Sequence, residues 1–345
     1  VREVKLFVVG LGAVGGGLMR LLADKRDVYK RRFGVDVKVS AVADSKGVWA
    51  GDDLDPSEVL RVKEEKGTVA AVGEETDPLS AMEDVDFDVL VELTPTDIET
   101  GEPGLSHVMK AIELGKHVVT ANKGPLAVAY SEIMEAAEEA GVIVRYEATA
   151  GGAMPVFNLV RETLRSVDVL SLEGILNGTV NYVLTRMEEE GVTLEDALAE
   201  ARNRGIAEAD PSMDVEGWDT ACKVVILANS ILGVECTIDD VDVTGIERIT
   251  PEAIEIAEER GYRIRLIGRA TKDGDLVVTP ALVPKSDPLS RVKGTMNLLR
   301  LGTDVAGDIL VSGRGAGPLE TASAVMSDVL AIAEGISGLE RRHPA

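Results

Sequence analysis

Three glycines constrain this chain more than any other feature. Gly10, Gly12 and Gly15 stand as G-x-G-x-x-G between a stretch at 4–9 that reads as a strand and a helix-forming stretch from Ala13. Each glycine does something different. The first allows a tight turn out of a strand, the second lets backbone approach a pyrophosphate, and the third lets the following helix pack closely on the strand. A helix that begins there offers unpaired N–H groups and its positive dipole end to an anion. Residues 10–15 (Gly10, Leu11, Gly12, Ala13, Val14, Gly15) are therefore expected to hold a dinucleotide. A second strand, 35–43, ends at Asp44, where an acidic residue hydrogen-bonds the ribose 2′-hydroxyl in such folds. The interval from Gly15 to Asp44 exceeds the usual spacing of about 20 residues, and the charged insertion 24–32 accounts for the excess. Lys46 is close enough to receive the extra phosphate of NADP, so the choice between NAD and NADP stays open.

The alternation continues with a strand at 88–93, a helix at 105–114, a strand at 116–120, a helix at 130–140 and a strand at 142–147. This is the rhythm of an α/β Rossmann-type, doubly wound parallel sheet. Loops after the carboxyl ends of such strands line the ligand crevice, which places Thr94 and Lys123 beside the cofactor. Beyond residue 147 the pattern changes. A strand at 169–176, helices at 181–190, 194–204 and 251–260, and a hairpin around the turn 272–275 predict an α+β second domain with a mixed or antiparallel sheet. A glycine-rich turn at 313–317 precedes a helix of about twenty residues, and such a turn either faces an anion or makes a tight connection.

The helix that opens at Trp218 is apolar nearly all round, yet it carries Asp219 and Lys223 one turn apart. Charges in such a helix are expected only as a structural ion pair or as parts of a site, because desolvation costs several kcal/mol per ion. Histidine is not the expected proton carrier: the three histidines, His107, His117 and His343, lack metal-like spacing. The two cysteines, Cys222 and Cys236, offer neither a disulfide framework nor a metal cluster and read as structural. No apolar run reaches the roughly 18 residues of a membrane span, and no signal-peptide pattern is present. A cytoplasmic protein is expected.

Together these segments resemble homoserine dehydrogenase. The resemblance rests on GLGAVG (10–15), TPTDIETGEPGLSH (94–107), HVVTANKGPLA (117–127), RYEATAGG (145–152), EGILNGTVNYVLTRMEEEG (173–191), GIAEADPSMDVEGWDTACK (205–223) and GRGAG (313–317), which cover the chain in order. It implies the reversible NAD(P)-dependent interconversion of L-homoserine and L-aspartate 4-semialdehyde, on the route to threonine and methionine. It implies Lys223 as proton donor to the aldehyde oxygen and Lys123 as a second active-site lysine. Glu208 and Asp219 would hold the amino acid, with Asp214 a further acidic position. Gly205 and Glu208 would approach the cofactor, as would Gly315 and Gly317. Glu147 and the carbonyls of Ala150, Gly152 and Met154 resemble a structural monovalent cation site, usually sodium. The implied organisation is a nucleotide domain (1–147), a catalytic and dimerisation domain (148–310) and a C-terminal segment (311–345) packing back on the nucleotide domain. A homodimer is implied, of the short form without a regulatory domain, so threonine feedback through such a domain is not expected.

Two other readings fit the residues less well. One is another Rossmann dehydrogenase of a small amino or hydroxy acid, opposed by the segment 205–223. The other is a non-catalytic NAD(P)-binding sensor, opposed by the presence of Lys123, Glu208, Asp219 and Lys223 together.

A formal charge of −24 argues against non-specific nucleic-acid binding, which needs an excess of Lys and Arg. It fits a host cytoplasm rich in salt, where screening relieves the self-repulsion. The melting temperature should then rise between low and molar KCl, and an unchanged value would remove this explanation of the charge.

Overall fold

The structure, a computed structural model, describes residues 1–340; His343 and the end of the expected C-terminal segment lie outside the described residues. The chain divides into two compact units, one formed by Val1–Thr149 with the segment from Gly317, the other by Ala150–Ala316.

In the first unit the elements run β1 (Arg2–Val9), α1 (Ala13–Phe33), β2 (Val35–Asp44), β3 (Gly47–Ala50), α2 (Pro56–Lys66), α3 (Pro78–Asp84), β4 (Val89–Glu92), α4 (Gly104–Glu113), β5 (His117–Thr120), α5 (Lys123–Ala140) and β6 (Val144–Arg145). Six strands form one sheet in the order β3-β2-β1-β4-β5-β6. It is parallel except where β3 turns back antiparallel on β2. Leu6, Phe7, Val8 and Val9 are all buried, as a parallel strand covered on both faces requires.

The charged stretch 24–32 lengthens α1 to 21 residues, which accounts for the long interval from Gly15 to Asp44. Its basic last turn, Lys30, Arg31 and Arg32, faces the negative end of the helix dipole, and Gly34 ends the helix at φ 69°. α5 begins at Lys123, seven residues ahead of the stretch read from the sequence. Asn122 caps it, and Ala129 at φ −140° breaks its phase, so the apolar period is regular only beyond the kink. β3 and α3 are too short, at four and seven residues, to show a period.

The second unit follows the single turn α6 (Ala148–Gly151). It contains β7 (Val169–Ile175), α7 (Gly178–Glu190), α8 (Leu194–Asn203), α9 (Ser212–Val215), α10 (Trp218–Leu227), β8 (Asp242–Val243), α11 (Pro251–Glu259), β9 (Tyr262–Thr271), β10 (Leu276–Pro284), β11 (Met296–Thr303) and β12 (Asp308–Arg314). Its sheet, ordered β12-β11-β7-β9-β10-β8, is antiparallel apart from the β8–β10 pair, and is therefore mixed. Gly174 and Gly268 are direct neighbours across β7 and β9. A Cβ at Gly268 would come within 2.8 Å of the Thr220 and Val224 side chains, so α10 lies against the sheet where glycine leaves room. Every residue of α10 from Thr220 to Leu227 is buried.

The last helix, α12 (Pro318–Glu340), returns to the first unit. Ala322, Val325, Met326, Val329 and Ile332 join the core of β1, β2 and α1. A Cβ at Gly17 would lie 2.4 Å from the Pro318 carbonyl oxygen, so α1 and α12 meet at a residue that has none. Asp328 ties α12 to the chain just after β6, its Oδ2 accepting from the Glu147 backbone N–H at 2.7 Å.

α1 is also tied to β2 through Asp36, which accepts from Lys30 Nζ at 2.6 Å and Arg26 Nε at 3.1 Å. The Lys30 bond, working against burial and helped by Arg26, holds the Asp36 carboxyl below its ordinary range. A depressed carboxylate adds stability above its unfolded pKa and loses it as pH falls through the native value. Asp36→Asn should therefore melt below wild type at pH 7 and converge with it near about pH 2. An equal gap at both pH values would contradict this role.

Candidate active site

In the first unit the glycines shape the junction between β1 and α1. Gly10 turns at φ 102°, and a Cβ there would lie 2.5 Å from the Leu93 backbone. One at Gly15 would lie 2.1 Å from the Gly10 carbonyl oxygen, so helix and strand touch at that point. A Cβ at Gly12 would meet nothing within 4 Å. The open position is the one that caps α1 and faces its unpaired N–H groups. Closed glycines on either side of an open one leave room for a pyrophosphate at the helix N-terminus, and these residues fit a dinucleotide.

Asp44 stands at the end of β2 as expected, but its carboxylate is engaged within the fold. Its side chain is 5% exposed. Oδ2 accepts from Lys63 Nζ at 2.6 Å and Val69 N at 3.1 Å, and Oδ1 from Lys46 N and Thr68 Oγ1, each at 3.0 Å. Burial alone would raise this carboxyl; the donors outweigh it and hold the group below its ordinary range. Four donors fill the acceptor sites of a carboxylate. A ribose hydroxyl would have to displace one of them.

The loop at Thr94 and the start of α5 are joined by a network that the sequence did not reveal. The Thr94 N–H and hydroxyl both donate to Glu92 Oε1, from a carboxylate that is fully buried at the end of β4. Asn122 Nδ2 donates to Thr94 Oγ1 at 3.1 Å and to the Pro95 carbonyl at 3.3 Å, while its Oδ1 accepts from Gly124 N at 3.0 Å. The residue beside the loop at Thr94 thus also caps α5, whose first residue is Lys123. His107 packs below, its Nδ1 3.5 Å from Glu92 Oε1.

The second unit brings together Asp214, Asp219 and Lys223. Lys223 is 7% exposed. Its Nζ donates to Asp219 Oδ2 and to the Leu176 carbonyl, both at 2.7 Å. Asn177, another residue that the sequence reading did not assign, donates through Nδ2 to Asp214 Oδ1 at 2.6 Å and to Asp219 Oδ2 at 2.8 Å. Burial raises the Asp214 carboxyl, and the neighbouring Asp219 charge raises it further, against the bond from Asn177. An ammonium has three donors. Two are committed here, and the third suits a substrate oxygen.

Glu208 is exposed on the segment between α8 and α9, with Gly205 near it at φ 68°. Gly315 packs tightly, since a Cβ there would lie 1.9 Å from Asn297 Nδ2, and Gly317 adopts φ 142° just before α12. Glu147, Ala150 and Met154 are buried, and Gly152, at φ 56°, is pressed against the backbone of Arg314 and Gly315. Among the described residues no group of three or more His, Cys, Asp or Glu side chains is placed to hold a metal ion. No described helix is long and apolar enough to cross a membrane.

Comparison with known proteins agrees with this chemistry. The family model described as homoserine dehydrogenase matches residues 155–330, and that of the homoserine dehydrogenase NAD binding domain matches residues 10–147. A homoserine dehydrogenase of Methanocaldococcus jannaschii is 51% identical over 331 residues, covering 95% of this chain and 98% of the relative. The crystal structure of a candidate homoserine dehydrogenase from Archaeoglobus fulgidus superposes with a TM-score of 0.89 at 46% identity, over 95% of this chain and 99% of that one. A hyperthermophilic archaeal homoserine dehydrogenase in complex with NADPH does so with a TM-score of 0.83 at 29% identity, over 96% and 98% of the two chains. With a glycine cradle for a dinucleotide in one unit and a buried lysine held by a carboxylate and a backbone carbonyl in the other, the chain belongs to the homoserine dehydrogenase family of NAD(P)-dependent oxidoreductases.

Proposed function

We propose that this protein interconverts L-homoserine and L-aspartate 4-semialdehyde with Lys223 as the group that gives and takes the substrate proton. One observation carries the assignment: a buried lysine held at 2.7 Å by both Asp219 and the Leu176 carbonyl, with one N–H uncommitted. The bound nicotinamide supplies or accepts the hydride. The protein holds the substrate and manages its charge. An oxygen that becomes an alkoxide is stabilised by an ammonium already in place. Carboxylates suit the substrate's own ammonium group, the role read for Asp219, Asp214 and Glu208. Lys123, at the start of α5, is read as the second lysine, and a homodimer belongs to the same reading.

For the cofactor, Gly10 to Gly15, Thr94, Lys123, Gly205, Glu208, Gly315 and Gly317 are the proposed contacts. NADPH is read as a substrate at least as good as NADH. Asp44 already accepts four bonds and has little left for a ribose 2′-hydroxyl, while Lys46 is exposed beside it. The hyperthermophilic archaeal relative holds NADPH.

Lys223→Ala should lower kcat by about 10²–10⁴-fold, the usual worth of a general acid–base group, with cofactor affinity little changed. Wild-type turnover in this variant would remove Lys223 from the mechanism. Homoserine oxidation needs an amine without its proton, and aldehyde reduction needs one that has it. The two directions should therefore respond differently to rising pH, and matching profiles would count against the lysine.

The cofactor reading is checked by steady-state rates with each nucleotide. NADPH should match or exceed NADH in kcat/KM, and Lys46→Ala should raise KM for NADPH roughly fivefold, the scale of one exposed charge contact, without changing that for NADH. A clear NADH preference in the wild type would reverse the assignment.

A further inference from the structure

We propose that Asn177 is a positioning residue for proton transfer, one amide that clamps Asp214 to Asp219 and so fixes the carboxylate on which Lys223 rests. The proposal rests on Lys223 as the proton carrier.

Both ends of the amide are committed, and they demand opposite chemistry. Oδ1 accepts from the Val180 N–H at 2.8 Å and caps α7. Nδ2 has two hydrogens, and its two acceptors are Asp214 Oδ1 at 2.6 Å and Asp219 Oδ2 at 2.8 Å. A flipped amide would place its oxygen against two carboxylates and its nitrogen against a donor, so the cap and the clamp enforce one orientation. The Asp219 oxygen held by Asn177 is the same Oδ2 that accepts from Lys223.

The lysine's other acceptor is fixed by the same residue. The Leu176 carbonyl belongs to the peptide joining Leu176 to Asn177, and the Asn177 cap pins that peptide at the start of α7. Asn297 Nδ2 steadies the carbonyl from the other side at 2.9 Å. Asn177 therefore governs both contacts of the lysine without being the group that moves the proton. The charged groups that face it are Asp214 from α9 and Asp219 and Lys223 from α10, and α7 brings the neutral Thr179 hydroxyl to Asp214. Two carboxylates facing each other in a largely buried place repel, and a donor shared between them offsets part of that repulsion.

The cap and the clamp can be separated. Serine and aspartate are both good N-cap residues, so Asn177→Ser and Asn177→Asp keep the cap while removing the amide donor. In Asn177→Ser, kcat should fall at least tenfold in both directions, with KM for the nucleotide unchanged. The acid limb of kcat/KM should move up by about one pH unit, because Asp214 loses the bond that lowers its carboxyl. Asn177→Asp should move the limb further, since it adds a third carboxylate. Melting temperature and nucleotide binding establish that each variant is folded, and the near-isosteric Asp variant carries the test if the Ser variant is not. Wild-type turnover, or a uniform loss with an unmoved acid limb, would overturn the clamp. Lys223→Ala is measured alongside: full activity there defeats the lysine reading itself, whereas an inactive Lys223→Ala beside a normal Asn177→Ser defeats only the role of Asn177.

Discussion

The second unit depends on one charged contact inside an apolar helix. Lys223 lies on a helix buried from Thr220 to Leu227, where removing an ion from water costs several kcal/mol. Its ammonium is tolerable only because Asp219 lies one turn earlier and the Leu176 carbonyl meets it from the end of β7. The carbonyl can reach it only because α10 lies close to the sheet, where Gly268 leaves the space. Strand end, helix cap, carboxylates and glycine contact therefore form one construction around a single positive charge.

The nucleotide unit solves a different problem with backbone rather than charge. A pyrophosphate needs open N–H groups at a helix start, and Gly12 leaves them open while Gly10 and Gly15 close the turn around it. The next loop is held from beneath by the buried Glu92, which fastens Thr94, and by Asn122, which joins Thr94 to the start of α5.

Much of this was legible in the sequence because it follows from local rules. The glycine spacing, the strand and helix alternation, the β9–β10 hairpin and the burial of α10 each depend on residues close together in the chain. Where several local signals compete, legibility fell. The kink at Ala129 hid the first turns of α5, and with them the helical position of Lys123. Asp44 stood where a ribose ligand was expected, but its engagement by Lys63, Thr68 and Val69 depends on residues 19 to 25 positions away.

The sequence by itself determined the fold class and family, and it marked Asp219 and Lys223 as a charged pair where charges are costly. Those facts are written in spacing and polarity, which survive without coordinates. Only tertiary structure decided what the pair leans on. Asn177 meets Asp214 and Asp219 across 37 and 42 residues, and Asn297 reaches the Leu176 carbonyl across 121. An asparagine at a strand-to-helix junction reads as an ordinary cap in sequence, because its oxygen bonds locally; its nitrogen has no local partner, and the fold alone supplies one.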